Sequence, residues 1–270
     1  MPQPNALPYI NFNGNLIPEK DAPAPIQSSV FRFADGLFES MLVVDGVVQL
    51  AQLHYERLMK GMAQCNYEIP SCFTQNFFEA QTKITVRENE GKHQRVRFQV
   101  SMEAGKFAYL IETLPIEEDV FLFNKEGWKL GVINISLKDF EQSGNLKRIN
   151  IPLYTQGADM AAQQGWNDVL LSKENYIVES GGANIFWVKN GIIYTPPLAH
   201  GCIEGTMRRH ITASLSHRFS FLEEIFTQEK MLDADEIFLT NAIRRIKWVG
   251  QINHQTYPCR LAPTLYNLLF

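Results

Sequence analysis

The chain has 270 residues, of which 45% are hydrophobic and 20% are charged, and these are ordinary values for a globular protein. Its formal net charge is −4, so the bulk electrostatics do not favour binding to nucleic acid or to an anionic membrane. A chain of this length exceeds the size at which a single hydrophobic core usually stops growing, which favours two domains.

Targeting signals and cysteine spacing narrow the class of protein further. The N-terminus has neither the basic start nor the apolar segment of a signal peptide, and no apolar run approaches membrane-spanning length. The four cysteines form no CxxC pair and have no zinc-like spacing with the six histidines, which favours free thiols over a metal site. We therefore expect a soluble cytoplasmic protein that binds no metal, nucleic acid or membrane.

The first part of the chain has the pattern of a small mixed domain. Two apolar runs flank Asp45-Gly46, a dipeptide typical of a two-residue hairpin turn. The next segment, QLAQLHYERLMKGMAQC, has apolar side chains at helical spacing, and QRVRFQVS and FAYLIETLP follow as strands. Pro115 and the consecutive charges up to Asp119 indicate a linker. The sequence thus predicts a smaller N-terminal α+β domain over 1–115 and a larger C-terminal domain over 120–270.

The second part continues the alternation of strands and helices. Strands are predicted at WKLGVINISL, NDVLLS and DEIFLTN, and helices at PLYTQGADMAAQQG and TMRRHITASLSHRF. Asn190-Gly191 joins two further apolar runs and predicts a second hairpin. The fold class is therefore α+β.

Two features suit a phosphate group. Gly205 and Thr206 precede an apolar-periodic helix, where backbone N–H groups and the positive end of the helix dipole favour an anion. Arg57 can add a cation, because a guanidinium group binds oxyanions bidentately. Each feature also has an ordinary interpretation, a helix cap in the first case and a solvated helix surface in the second.

An ordered set of motifs resembles the class IV aminotransferases, which are pyridoxal-phosphate enzymes of fold type IV. The motifs run from about Phe31 to Val249 and are FADGLFES, HYERL, GNLKRINIP, VESGGANIFWVKNGIIYTPPLAHGCIEGTMRRH and DADEIFLTNAI. The resemblance implies a two-domain fold like that of D-amino-acid aminotransferase, with the C-terminal domain binding pyridoxal 5′-phosphate. It implies that Lys147 is the Schiff-base lysine, that Glu179 faces the pyridine nitrogen, and that the cofactor-binding residues also include Arg57, Thr206, Met207 and Asn241.

The resemblance explains an unusual stretch in front of the second hairpin. Glu179 is followed by Ser180, Gly181, Gly182 and Ala183, four small residues. A carboxylate beside the pyridine nitrogen keeps that nitrogen protonated, and the missing side chains leave room for a flat ring. Without the other motifs, a loose turn with an exposed glutamate is the alternative interpretation.

The reaction within the family stays open between two classes. Many transaminases have Tyr after the Asn of Lys-x-x-Asn, where this chain has Ile151, and Asn241-Ala242 stands where they often have Gly-Thr. Ile151 means that the tyrosine contact is absent or comes from elsewhere. Asn-Ala at the second position resembles 4-amino-4-deoxychorismate lyase, which eliminates pyruvate and gives 4-aminobenzoate, and the short chain also suits the lyase. The alternative is a branched-chain or D-amino-acid aminotransferase. A non-catalytic homologue is a third class, against which the presence of Lys147 and Glu179 argues.

Substrate and subunit contacts complete the expectations. Arg95 and Arg97 alternate with apolar residues on one strand, so both side chains point to one face. Either is a candidate for the acid groups of a small amino substrate, and a charged solvent face is the alternative. The resemblance also implies a homodimer, and the apolar segments SVFRFADGLF and PTLYNLLF suit an interface as well as a core.

Overall fold

The computed structural model describes residues 8–22, 28–134 and 145–270. The chain forms two compact units, Met1–Glu118 with Lys147–Asn150, and Asp119–Leu146 with Ile151–Phe270. The segment Lys147–Asn150 thus groups with the first unit although it follows the linker in sequence. The boundaries expected from the sequence do not include this return of the chain.

The first unit is built on an antiparallel sheet. Its strands are β1 (Tyr9–Phe12), β2 (Asn15–Pro18), β3 (Leu37–Val44), β4 (Val47–Val48), β5 (His93–Glu103) and β6 (Lys106–Pro115). Its helices are α1 (Ser29–Phe33), α2 (Ala51–Gln64) and α3 (Gln75–Glu88). Among these residues the strand order is β2-β1-β6-β5-β3-β4.

Local sequence explains how β3 leads into α2. Asp45 and Gly46 both have positive φ angles, 50° and 75°, which is the backbone of the two-residue turn predicted there. The buried residues of α2 include His54 and Leu58, four positions apart and therefore on one face. This helix face packs against β3. Side chains of β3 and α2 are thereby placed next to each other.

The second unit is built on a larger mixed sheet. Its strands are β7 (Trp128–Asn134), β8 (Asp168–Lys173), β9 (Tyr176–Ser180), β10 (Asn184–Lys189), β11 (Ile192–Thr195), β12 (Phe221–Glu223), β13 (Glu236–Asn241), β14 (Arg245–Ile252) and β15 (Gln255–Thr256). Its helices are α4 (Pro152–Gln164), α5 (Thr206–Leu215), α6 (Gln228–Leu232) and α7 (Ala262–Leu269). In this part of the structure the strand order is β12-β11-β10-β13-β14-β7-β8-β9, and β15 pairs with β14.

The central strands of this sheet are apolar because both of their faces are covered. Every residue of β10 from Asn184 to Val188 and of β13 from Glu236 to Thr240 is buried. One core cluster of this sheet includes Leu170, Trp187, Ile237, Leu239 and Val249. β10 and β11 join through Asn190 and Gly191, whose φ angles of 52° and 77° match the predicted hairpin.

Two predicted elements differ in extent from the structure. The helix predicted up to the segment SHRF ends at Leu215, after which Arg218 and Phe219 both bond back to the carbonyl of Leu215 in a turn. The strand predicted over WKLGVINISL extends to Asn134, and its last three residues lie outside the described ranges. No helix in the described ranges combines the length and apolarity that a membrane crossing requires.

Candidate active site

Lys147 is held by backbone pairing with the start of β3. The Phe38 N–H donates to the Lys147 carbonyl, and the Ile149 N–H donates to the Gly36 carbonyl, both at 3.0 Å. Arg148, between them, forms an antiparallel bridge with Leu37. This ladder explains why FADGLFES and GNLKRINIP occur together, since the first segment fixes the backbone of the second.

The aromatic ring of Phe38 lies beside two cations. The Lys147 Nζ is 4.4 Å and the Arg97 Cζ is 4.2 Å from the ring centroid. Arg97 is half-buried, whereas Arg95, the other substrate candidate, is exposed. The structure therefore distinguishes the two arginines that the sequence left equivalent, because of the two only Arg97 lies near the aromatic ring that Lys147 also contacts.

Arg57, predicted to bind the cofactor phosphate, has a buried carboxylate partner. Its guanidinium Nε donates to Glu39 Oε1 at 2.8 Å, and its Nη2 donates to Glu39 Oε2. The imidazole Nδ1 of His54 also contacts Glu39 Oε2. His54 and Arg57 are three positions apart on α2, and Glu39 lies on the facing strand β3, so the helix spacing assembles this triad.

The triad fixes the charge of its members. Burial acts to raise the pKa of Glu39, but the charges of Arg57 and His54 and their hydrogen bonds outweigh it and lower the pKa to about 2. Burial lowers the pKa of His54, against the opposing charge of Glu39, and the charge of Lys147 acts in the same direction as burial. Because an ionised carboxylate only accepts hydrogen bonds, the His54 Nδ1 carries the proton that points to Glu39.

Glu179, the predicted partner of the pyridine nitrogen, is a buried residue of the second unit. It lies on β9 opposite Leu171 of β8 and is 2% exposed, which contradicts the loose-turn alternative. The Tyr154 hydroxyl donates to Glu179 Oε1 at 2.6 Å, and the Ile203 N–H donates to Glu179 Oε2 at 3.0 Å. Two elements outside the strand thus hold this carboxylate.

The small residues after Glu179 form a turn that is braced by Asp168. The Ser180 hydroxyl donates to Asp168 Oδ2 at 2.9 Å, and the Gly182 N–H donates to the same oxygen at 3.2 Å. A Cβ atom on Gly181 would lie 2.8 Å from Asp168 Oδ1, so the close approach of this carboxylate requires glycine. Burial is the largest influence on Asp168 and raises its pKa, against the hydrogen bonds it accepts.

Asn241, another predicted cofactor residue, ends β13 next to the same turn. Its Nδ2 donates to the Gly182 carbonyl at 2.8 Å, and its Oδ1 accepts from the Ile243 and Arg244 N–H groups at 3.1 and 2.6 Å. The asparagine amide therefore ties the end of one strand to the turn after Glu179.

Thr206 and Met207, the predicted phosphate-binding residues, are the buried first residues of α5. The N-cap residue of this helix is Gly205, and no side chain caps it. A Cβ atom on Gly205 would collide with the side-chain oxygen of Asn184, so a larger residue does not fit there. Asn184 in turn donates to the Ile203 carbonyl at 2.8 Å. The segment that bonds Glu179 therefore leads directly into the helix N-terminus.

Each unit thus groups part of the predicted set. In the first unit these residues are Lys147, Arg97 and Arg57, with Glu39 and His54 added by the structure. In the second unit Glu179, Asn241, Thr206 and Met207 are joined through hydrogen-bonded backbone segments, with Tyr154 and Asp168 added. Apart from Asp168, the added residues lie within or next to the quoted motifs, but the roles of all of them depend on contacts between segments that are distant in sequence.

Comparisons with known proteins agree with these motifs. The profile of the family "Amino-transferase class IV" matches residues 36–252. The chain is 21% identical to a D-alanine aminotransferase of Staphylococcus epidermidis over 90% of this chain and 88% of the relative. It is 23% identical to an aminodeoxychorismate lyase of Vibrio harveyi over 88% of this chain and 90% of the relative.

A solved structure shows the same fold. It is a branched-chain aminotransferase of Thermoproteus uzoniensis with norvaline, which matches with a TM-score of 0.86 and 21% identity over 97% of this chain and 93% of that chain. The family match covers most of the sequence and includes every predicted cofactor residue. This chain is therefore a member of the class IV aminotransferase family, the fold type IV enzymes that depend on pyridoxal phosphate.

Proposed function

We propose that this chain is a 4-amino-4-deoxychorismate lyase, which eliminates pyruvate and releases 4-aminobenzoate. The observation that carries the proposal is Asn241-Ala242 at the end of β13, where related transaminases often have Gly-Thr. The Asn241 side chain donates one hydrogen bond to the Gly182 carbonyl in the turn that follows Glu179, and it accepts two from the Ile243 and Arg244 N–H groups in the turn after β13. Ile151 at the position of the common tyrosine and the similarity to the Vibrio harveyi lyase also support it.

The described residues fit pyridoxal phosphate. An uncapped helix start with a steric requirement for glycine suits a phosphate group, and a buried, hydrogen-bonded carboxylate suits a protonated ring nitrogen. We propose that Thr206, Met207 and Arg57 hold the phosphate. In the same proposal Glu179 faces the ring nitrogen, and Asn241 supports the cofactor site by its hydrogen bond to the turn after Glu179. Lys147 is the proposed covalent attachment.

In this proposal the bound cofactor supplies an aldehyde that condenses with amines and a ring that withdraws electrons. Lys147 removes the proton from the substrate ring carbon that bears the amine. The ether oxygen of the enolpyruvyl group leaves from the adjacent carbon with the electron pair of its bond, and the ring becomes aromatic. The leaving enol takes a proton at its methylene carbon and is released as pyruvate, so atoms and charges balance.

Arg97 is the proposed anchor for a substrate carboxylate. Its guanidinium lies on the same aromatic ring as the Lys147 amine, and the nearest carboxylate oxygen of Glu112 is 3.7 Å from its Nε. A guanidinium group binds a carboxylate bidentately, which would orient the substrate relative to Lys147. The greater exposure of Arg95 makes it the weaker candidate.

Transamination is the second candidate function, supported by the similarity to the Staphylococcus epidermidis D-alanine aminotransferase. In that reaction Lys147 moves the proton of the substrate Cα, and the amino acid is released as an oxo acid. Both reactions use the same lysine, carboxylate and phosphate site, so substrate trials must distinguish them.

The deciding experiment is a pair of assays on one preparation of the holoenzyme. One assay measures 4-aminobenzoate from aminodeoxychorismate, and the other measures oxo acids from L- and D-amino acids. We expect the first activity to dominate in the wild type and in Lys129→Ala, which changes an exposed lysine, and to fall by orders of magnitude in Lys147→Ala. Oxo-acid formation without 4-aminobenzoate would instead establish a transaminase.

We further propose a cytoplasmic homodimer that acts on a small amino substrate. Four free cysteines suit a reducing compartment. Phe31 and Phe33 on α1 are 66% and 71% exposed, and Leu268 and Phe270 at the end of α7 are also exposed. Large exposed apolar side chains in both predicted interface segments suit burial against a second copy of the chain.

A further inference from the structure

Tyr154 is placed against Glu179 by the first turn of α4. The helix begins at Pro152, and Tyr154 is its third residue. The Tyr154 hydroxyl lies 2.6 Å from Glu179 Oε1. Burial, followed by the charge of Glu179 and this hydrogen bond, raises the pKa of Tyr154. The phenol therefore keeps its proton at neutral pH and acts as the donor.

The two carboxylate oxygens of Glu179 have different donors. Oε1 accepts from the Tyr154 hydroxyl, and Oε2 accepts from the Ile203 N–H. Hydrogen bonds to a carboxylate favour its ionised form over its protonated form. Each carboxylate oxygen has a second lone pair, so both bonds are compatible with a further contact to a cationic ring nitrogen.

We infer that Tyr154 is a positioning residue that holds Glu179 in its ionised form and so keeps the cofactor ring nitrogen protonated. The inference rests on the proposed role of Glu179. A proton shared between a carboxylate and a pyridine nitrogen moves toward the more basic partner. The Tyr154 hydrogen bond makes the carboxylate less basic, so the proton stays on the ring, which then withdraws electrons more strongly.

Tyr154→Phe removes the hydroxyl and keeps the ring, and Tyr257→Phe is a matched control. Tyr257 is another tyrosine of the second unit; it is buried, and its hydroxyl donates to the Leu232 carbonyl at 3.3 Å. Each variant is reconstituted with pyridoxal phosphate labelled with nitrogen-15 in the ring, and the nitrogen chemical shift reports ring protonation. We expect the wild type and Tyr257→Phe to show a protonated ring, and Tyr154→Phe to shift toward the unprotonated ring.

Turnover supplies a second readout. We expect Tyr154→Phe to lower turnover by about ten- to a hundredfold, the cost of losing a hydrogen bond to a charged group. If Tyr154 acts through Glu179, the Tyr154→Phe substitution causes almost no further loss of turnover in a Glu179→Gln background, where no carboxylate is left to stabilise. Full additivity of the two changes would overturn the inference.

A non-disruptive substitution covers the case in which Tyr154→Phe folds poorly or loses the cofactor. Difluorotyrosine placed at position 154 keeps the shape of the side chain and makes the phenol a stronger donor. We expect deprotonation of the ring nitrogen to move to higher pH than in the wild type across a pH titration. An unchanged titration would overturn the inference.

The possible failures are distinguishable. If Tyr154→Phe behaves like Tyr257→Phe while Glu179→Gln loses ring protonation, the role of Tyr154 is wrong and that of Glu179 stands. If Glu179→Gln keeps a protonated ring and normal turnover, the proposed role of Glu179 is wrong, and the inference about Tyr154 is overturned with it.

Discussion

Glu39 shows how one buried residue makes stability depend on pH. The charges and hydrogen bonds of Arg57 and His54 lower the pKa of Glu39 from the ordinary value of 4.5 to about 2 in the fold. A carboxylate whose pKa is lowered by folding stabilises the fold fully at pH values above its pKa in the unfolded chain. This contribution is lost as the pH falls from about 4.5 toward about 2. We expect the cofactor-free wild type to lose on the order of 3 kcal/mol more unfolding free energy over that range than Glu39→Gln does.

Urea unfolding at a series of pH values measures this difference. The comparison needs only the slopes of the two stability curves, so any constant cost of leaving Arg57 and His54 without the carboxylate cancels. Parallel curves for the wild type and Glu39→Gln would show that the carboxylate is not held ionised by these neighbours.

Arg57 has both an ion-pair partner and a proposed phosphate ligand, and two variants separate these roles. Glu39→Gln removes the ion pair and leaves the guanidinium, whereas Arg57→Ala removes both. If Arg57 binds phosphate, cofactor affinity falls by about ten- to a hundredfold in Arg57→Ala, since a charge-assisted hydrogen bond contributes roughly 1.5–3 kcal/mol. A titration of each apo variant measures it, and equal affinities in the two variants would assign Arg57 to the fold alone.

At the scale of an element, the start of α5 carries the next prediction. Gly205→Ala adds a methyl group that collides with the Asn184 side chain, so the first turn of the helix must move. We expect cofactor affinity to fall by about tenfold or more, because roughly 1.4 kcal/mol of lost phosphate binding has this effect. Fluorescence titration of the apoprotein measures the affinity.

Ala213→Gly is the matched control for this helix. Ala213 is exposed near the other end of α5, and glycine there costs about 1 kcal/mol of helix stability without touching the N-terminus. We expect the control to lose stability and keep its cofactor affinity. An equal loss of affinity in both variants would mean that α5 acts only through its general stability.

At the scale of the whole molecule, the prediction concerns the proposed homodimer. If the second copy completes the site, dilution to monomer lowers turnover and cofactor retention together. A cofactor that binds only to the dimer is released when the dimer dissociates. Analytical ultracentrifugation with activity measured at the same concentrations tests this. A fully active, cofactor-loaded monomer would contradict the dimer and leave the proposed chemistry of Lys147 and Glu179 unaffected.

Sequence alone identified the fold class and the family, because both depend on local patterns. The turn at Asn190-Gly191 follows from two residues that tolerate positive φ, and the helix that carries Arg57 follows from apolar spacing. The motif GNLKRINIP singles out Lys147 through the residues next to it. The proposed site residues come from these ordered motifs.

Only the tertiary structure decided which side chains meet, because contacts between distant segments leave no periodic signal. Glu39 and Arg57 are 18 positions apart, and Tyr154 and Glu179 are 25 apart, yet both pairs are hydrogen-bonded. Strand alternation placed Arg95 and Arg97 on one face, but only packing put Arg97 on the ring shared with Lys147. The motifs therefore determined which chemistry is available, and the burial and pairing of their side chains decided how each charge is held.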